Sequence, residues 1–271
     1  MNPTLMRRIA HLSDLHFGTE VPEVVEALAH DLLRVKPDLL LVSGDLTQRA
    51  RKSQFARAAE FLNRFPAPKL VVPGNHDVPL FNLYRRFINP LAAYHSYFPK
   101  DAESDFKDKE MLVLGLNSTR RFRWRRGQLS ERQLEQMQKF FCGRSDQRFR
   151  IFMSHHPFMP HPRHFPRDLV FHRKAAVEIL SGCRVDLVLV GHTHRLLVDN
   201  LQEFYPWLER PMVMAQAGTA ISRRTFSRPH SYNVIRLKAK HFLIETRVFR
   251  GGRFTPSQIH VFSRAHRRCS G

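Results

Sequence analysis

No stretch of this chain is apolar for long enough to cross a bilayer as a helix, which takes roughly 20 residues; runs such as 39–42 and 185–190 are strand-length. The opening Met1-Asn2-Pro3-Thr4-Leu5-Met6-Arg7-Arg8 lacks the basic end, apolar stretch and small-residue cleavage site of a secretory leader. A cytoplasmic location is expected, with a peripheral one at the inner membrane as its variant. Cysteine is scarce: Cys142, Cys183 and Cys269 are odd in number, far apart and outside any C-x-x-C pattern. Neither a disulfide framework nor a thiolate zinc site is expected from them, only buried or incidental thiols. Acidic residues are also few, 24 Asp+Glu against 44 Lys+Arg, which leaves a formal net charge of +20. Such a field draws in phosphate-bearing partners, whether nucleotides, nucleic acid or an anionic membrane surface, without choosing among them.

Strand-like and helix-like segments alternate along the 271 residues, an α/β pattern in one domain, 1–271. Strands are expected at 9–13, 38–43, 69–72, 111–116, 149–153, 185–190, 212–215, 232–237 and 242–248. Helices are expected at 22–35, with Pro22 in the first turn, and from Ser53, which is placed to cap a helix carrying Phe55, Ala59 and Leu62 inward. Ser130 followed by Gln133 is a capping-box pattern opening a helix that reaches about Phe141, and 175–180 also looks helical. Two stretches fit the alternation poorly, 79–110 and 157–174, and read as insertions able to form a wall or lid of a site.

Polar residues stand just after several of the strands. Asp14-Leu15-His16 follows the first, Gly44-Asp45 the second, Gly74-Asn75-His76-Asp77 the third; Ser154-His155-His156-Pro157 and Gly191-His192-Thr193-His194 follow two later ones. Strand ends on one rim of a sheet bring such clusters together. Carboxylate, amide oxygen and imidazole suit borderline divalent metals such as manganese, iron or zinc. Glycine before Asp45, Asn75 and His192 lets the backbone turn sharply and pass close to an ion.

In this order D-x-H, G-D, G-N-H-D, H-x-P and G-H-x-H resemble the calcineurin-like metallophosphoesterases, over most of the chain from residue 9 to about 248. The resemblance implies a two-sheet β-sandwich flanked by helices, with metals at strand ends. It implies two divalent ions, Mn²⁺ or iron by preference and Zn²⁺ as an alternative, one on Asp14, His16, Asp45 and His194, the other on Asp45, Asn75, His155 and His192. Asp45 would bridge them. The motif favours His155 over its neighbour His156, which would stand behind the ligands. His76 is implied to meet the phosphoryl or leaving oxygen as acid or hydrogen-bond donor, and Asp77 would orient His16 or His76. The other histidines, His95, His161, His164 and His172 among them, receive no ligand role.

Two cations so held answer the charge problem of a phosphodiester, because they activate a water and neutralise the phosphoryl oxygens. Within the family the chain looks most like the bacterial cyclic-nucleotide phosphodiesterases, and hydrolysis of a nucleotide-type diester is expected. It departs from them in Asn117-Ser118 and in the strongly basic stretch 120–126. A second resemblance is to the membrane-surface pyrophosphatases of lipid A biosynthesis that cleave UDP-diacylglucosamine; a nuclease or nucleic-acid binder is a third reading. Arg120, Arg121, Arg123, Arg125 and Arg126 around Phe122 and Trp124 lie outside the five motifs. They are expected to recruit an anionic membrane or nucleic acid rather than to take part in catalysis.

Overall fold

The structure, a computed structural model, describes residues 7–98, 105–144, 146–161 and 168–264. The chain opens with β1 (Arg7–Leu12), α1 (Pro22–Val35), β2 (Leu39–Val42), α2 (Lys52–Asn63) and β3 (Lys69–Val71). It continues through α3 (Leu83–Ile88), α4 (Ala92–His95), β4 (Asp105–Lys107), β5 (Met111–Gly115) and α5 (Glu131–Phe141). Next come β6 (Phe149–Met153), α6 (Arg173–Gly182), β7 (Leu187–Val190), β8 (Leu197–Asn200) and β9 (Val213–Gln216). A meander of β10 (Ser231–Leu237), β11 (His241–Arg250) and β12 (Arg253–Ser263) closes it. One sheet runs β12-β11-β10-β1-β2-β3, the other β4-β5-β6-β7-β9-β8. The fold is a two-sheet sandwich with helices on both outer faces, as the resemblance implied.

Alternation within the strands builds three layers of core, because successive side chains of a strand point to opposite faces. Leu39 and Leu41 of β2 face inward with Ile9, Ile151, Leu187 and Leu189, filling the space between the sheets. Leu40 and Val42 face outward against Leu28 and Leu32 of α1 and Phe55 and Leu62 of α2. The second sheet repeats the arrangement, with Leu112, Phe152 and Val188 packed on Met137 of α5 and Val177 of α6. Strands covered on both faces read as unbroken apolar runs, which is why β2 and β7 stood out in the sequence.

Helix signals worked where the cap chemistry is local. Pro22 begins α1, and Lys36 ends it in the left-handed conformation with its N–H on the Leu32 carbonyl. Ser130 and Gln133 form the expected capping box at α5. Ser53, expected as a cap, instead lies inside α2, whose N-cap is Arg51. The stretch 79–110 holds α3, α4 and β4, with 99–104 outside the described residues; of 157–174, residues 162–167, including His164, lie outside them.

Two of the cysteines are not the incidental thiols expected: Cys142 and Cys183 are joined in a disulfide, their Cα atoms 4.5 Å apart. Each follows the last residue of its helix, α5 or α6, and those two helices pack together, so 41 residues of sequence separation conceal a spatial neighbour. Beside them the buried Arg150 of β6 donates to the carbonyls of Phe141 and Cys183, a cation against two helix C-termini. Cys269 lies outside the described residues. Among the described residues no helix is long and apolar enough to cross a membrane.

A buried ionic knot fastens α1 to the C-terminal meander. Asp31 of α1 accepts from Arg247 Nε at 2.6 Å and Nη2 at 2.9 Å and from the Tyr232 hydroxyl at 2.6 Å, while Arg247 also reaches Glu245. Burial alone would raise the Asp31 carboxyl, yet Arg247 and Tyr232 hold it below its ordinary value. Its stabilisation is therefore complete above the unfolded carboxyl pKa of about 3.9 and fades as pH falls through the lower folded value. Arg247→Met would remove the cation that Asp31 and Glu245 share, leaving Asp31 to Arg34 and Tyr232 and Glu245 to Arg236, and should cost about 2–3 kcal/mol. Urea unfolding of the variant at neutral pH measures this; a loss below about 1 kcal/mol would mean that the knot is not structural.

Candidate metal centre

Strands β1, β2 and β3 run parallel in one sheet and β5, β6, β7 and β9 parallel in the other, so their C-terminal ends share a rim. All five polar motifs leave strands there. Asp14, His16, Asp45, His192 and His194 have φ of 53°, 45°, 53°, 78° and 57°, the left-handed region that costs a residue with a Cβ of order 1 kcal/mol or more. Those turns swing the side chains off the strand direction and into the gap between the sheets.

The donors gather in two groups. Ligand atoms of Asp14, His16, Asp45 and His194 all lie within 4.8 Å of one another, and every one of these residues is buried. His16 Nε2 stands 3.0 Å from His194 Nε2 and 3.5 Å from Asp45 Oδ2, and His194 Nε2 is 3.2 Å from Asp14 Oδ1. In the second group Asn75 Oδ1 is 2.9 Å from His192 Nδ1 and 3.2 Å from His155 Nε2, and His155 Nε2 is 3.4 Å from Asp45 Oδ2. Atoms bound to one ion at about 2.1 Å stand about 3.0–3.4 Å apart at right to tetrahedral angles. Facing imidazole nitrogens can share one proton at most, and Asp14 Oδ1 is buried without a hydrogen bond. Such a donor set fits a divalent cation.

Outer contacts fix which nitrogen faces inward. His155 Nδ1 donates to the Ser43 carbonyl at 2.7 Å and His194 Nδ1 to the Arg224 carbonyl at 2.6 Å, which leaves each Nε2 turned toward the cluster. The adjacent His156 is engaged at both nitrogens elsewhere, with Ser118 Oγ at 2.8 Å and the Arg125 carbonyl at 3.0 Å. Of the two neighbours, His155 faces the donor cluster and His156 faces away from it. Asp14 and Asp45 are held well below the usual carboxyl range: burial pushes them up, but the imidazoles around them prevail. For His155 burial opposes protonation and the Asp45 charge outweighs it, raising the ring to about 9, whereas burial lowers His16 to about 4.

Asp77 does not orient an imidazole. Its carboxylate accepts from the backbone N–H groups of Leu46, Thr47 and Gly74 and from the Thr47 hydroxyl, at 2.9–3.1 Å, and so ties the loop after β2 to the loop after β3. Burial and the charge of Asp45 raise it to about 7. His76 does reach the cleft. Its Nδ1 donates to the Gln48 carbonyl at 3.1 Å and its Nε2 accepts from Arg224 Nη1 at 2.9 Å, while burial lowers its pKa.

A cleft of about 440 Å³ opens over these groups, and its walls include Trp124, Arg125, Asp168, Arg195, Arg224 and Phe226. Asp168 pairs with Arg125 at 2.6 Å and lies 3.8 Å from His192 Nε2. None of these stands in one of the five motifs; Asp168 falls in 157–174 and Trp124 and Arg125 in 120–126, while Arg195, Arg224 and Phe226 had no signal in the sequence. Trp124 and Arg125 bring part of 120–126, a stretch outside the five motifs, to the cleft wall. The buried Arg86 donates to the Arg121 and Arg123 carbonyls and lies over the Trp124 ring, drawing the loop against the cleft. A wider hollow of about 760 Å³ lies away from the donors, and its acids are already paired, Asp108 and Glu110 with Arg7 and Asp146 with Arg148.

Residues 7–196 match the family model described as Calcineurin-like phosphoesterase. The chain is 25% identical over 213 residues to the glycerophosphodiester phosphodiesterase GpdQ of Enterobacter lignolyticus, covering 74% of this chain and 68% of that one. It is 25% identical over 160 residues to the 3',5'-cyclic adenosine monophosphate phosphodiesterase CpdA of Haemophilus influenzae, covering 58% of this chain and 55% of the relative. In fold it is similar to the purple acid phosphatase PPD1 of yellow lupin, with a TM-score of 0.73 at 13% identity, over 96% of this chain and 54% of the plant protein.

Gly74 tests how tightly the rim is built. A Cβ there would stand 2.1 Å from Asp45 Oδ1 and 2.3 Å from the Asp45 backbone nitrogen. Gly74→Ala should displace the shared carboxylate, costing about 1–3 kcal/mol of stability and about tenfold or more in metal affinity. Thermal unfolding and elemental analysis after dialysis against manganese would read both; a variant that holds metal as well as wild type contradicts the close fit.

Proposed function

Because the chain belongs to the calcineurin-like phosphoesterase family, and is accordingly a metal-binding phosphoester hydrolase, we propose that it is a two-ion phosphodiesterase. The observation that carries the reading is Asp45, whose Oδ2 lies 3.5 Å from His16 and 3.4 Å from His155 and so belongs to both donor groups. Asp14, His16 and His194 would complete one ion's ligands, and Asn75, His155 and His192 the other's. Bound there, divalent manganese, iron or zinc supplies Lewis acidity that activates water and offsets phosphoryl charge. The protein's own groups bind and orient the diester. Arg224 and Arg125 offer planar donors to its oxygens, and Trp124, with Arg86 4.0 Å over one face, leaves the other face for a base. His76 faces the leaving oxygen. With Nδ1 committed to Gln48, it can give a proton only from Nε2, and a bound anionic phosphoryl group favours protonation there once Arg224 turns to the substrate.

A nucleotide-type diester such as a cyclic nucleotide suits this cleft, and the names of the relatives point to small diesters. Asn117-Ser118 weighs little against it, since Asn117 accepts from Thr119 and Ser118 holds His156, both structural contacts. Cleavage of UDP-diacylglucosamine is a second reading, favoured by Trp124 and Phe226, which stand 50% and 61% exposed on the cleft wall. Of the partners expected for 120–126, any phosphate-bearing surface would meet the loop beside this mouth. Turnover measured on cyclic AMP, UDP-diacylglucosamine and single-stranded DNA ranks the substrates.

Hydrolysis of an aryl phosphodiester should vanish on chelation and return with manganese; activity surviving complete metal removal would sink the mechanism. Asp45→Ala should empty both sites and His194→Ala mainly one, which elemental analysis distinguishes. His76→Ala should keep its metal and lose about 10²–10⁴-fold in kcat, with a smaller loss on diesters whose leaving groups are acidic. Equal losses across leaving groups would remove His76 from the proton transfer.

A further inference from the structure

Helix α3 turns most of its apolar side chains to solvent. One of its two arginines, Arg86, is 2% exposed and donates to the carbonyls of Pro79, Arg121 and Arg123, whereas Leu83, Tyr84 and Ile88 are 53%, 77% and 68% exposed, beside the exposed Arg85. At about 100° per residue, Tyr84 and Ile88, two positions either side of Arg86, point directly away from the protein. A short helix that buries one arginine and turns three of its four apolar side chains outward departs from the soluble pattern. Nearby Phe81 is 78% and Phe122 70% exposed; the Phe122 ring lies 5.4 Å from that of Phe87, and the Arg121 guanidinium donates to the Phe87 carbonyl. Helix and loop 120–126 therefore form one stapled unit with an apolar crown, more than scattered surface hydrophobes.

The charge around the crown has one sign. Neither 79–98 nor 117–128 contains an acidic residue, while Arg49, Arg85 and Arg121 flank the exposed rings, Arg49 over Phe81 at 5.4 Å and Arg121 over Phe122 at 4.8 Å. Aromatic and aliphatic tips ringed by guanidinium groups match the boundary of an anionic bilayer, where apolar side chains enter the acyl edge and cations meet phosphates. Stacked bases would use the rings but leave Leu83 and Ile88 without a partner. We propose that α3 and loop 120–126 dock this protein on an anionic membrane surface. The same loop contributes Trp124 and Arg125 to the cleft wall, so docking holds the mouth of the site at the headgroups. This deepens the reading of 120–126 as a phosphate-facing surface, and it stands whether or not the site hydrolyses a diester.

Cosedimentation with vesicles tests it without any turnover. Wild type should bind vesicles of phosphatidylglycerol and phosphatidylcholine in equal parts, more weakly at high salt, and bind little to phosphatidylcholine alone. The triple variant F81S, Y84S and F122S should lose roughly tenfold or more in partition coefficient while its unfolding midpoint and its turnover of a soluble aryl diester stay unchanged. R49Q with R85Q should weaken binding and flatten its salt dependence. The proposal is overturned if wild type ignores anionic vesicles at low salt or if the triple variant binds as wild type does. It is equally overturned if sedimentation velocity finds a dimer that the triple variant dissolves, which would assign the crown to a second copy. Binding of single-stranded DNA in place of vesicles would assign it to nucleic acid.

Discussion

A carboxylate removed from water must find hydrogen-bond donors or positive charge, and at Asp45, 1% exposed, the protein provides imidazoles from both sheets. His16 comes from the end of β1 and His155 from the end of β6, so this one group links the two halves of the sandwich. Its other oxygen accepts from the His76 backbone at 2.8 Å, which ties the third loop to the same point. The left-handed turns, the glycines without a Cβ and the buried Asp77 that joins two loops all follow from the need to bring these donors within bonding reach. Strain of this kind persists only where surrounding packing over-determines it, and the apolar core between the sheets lies directly beneath.

That dependence explains what the sequence disclosed. Motifs such as Asp14-x-His16 and His192-x-His194 are legible because each is a local turn at the end of an apolar run, and both signals are short-range. Cap chemistry made α1 and α5 legible for the same reason. Strands with half of each face in solvent were not: β12, which carries Thr255, Pro256, Ser257 and Gln258, has little apolar alternation, and β4 and β8 are short edge strands.

Residues that act across the fold left no pattern. Arg224 is far along the chain from His76 and His194, and meets one through its guanidinium and the other through its carbonyl. Asp168 joins His192 to Arg125 from a stretch with no regular periodicity. Asp77 looked like an imidazole partner because it follows His76, whereas the N–H groups that engage it come largely from 30 residues earlier. The Cys142–Cys183 bond had the same character, two helix ends that meet only after packing.

The donors of the candidate metal centre all fall within residues 7–196, the portion that matches the family, whereas Thr219, Arg224 and Phe226 reach the site from the segment between β9 and β10. Part of that segment is supportive, since Thr219 donates to the Asp14 carbonyl and the Arg224 backbone orients His194. Its side chain at 226 lines the cleft without a hydrogen bond to hold, unlike Arg224, which engages His76. Selection can therefore alter what enters the cleft by substituting Phe226 without disturbing the donors, and gene duplicates would be expected to drift apart in substrate choice first at this connection.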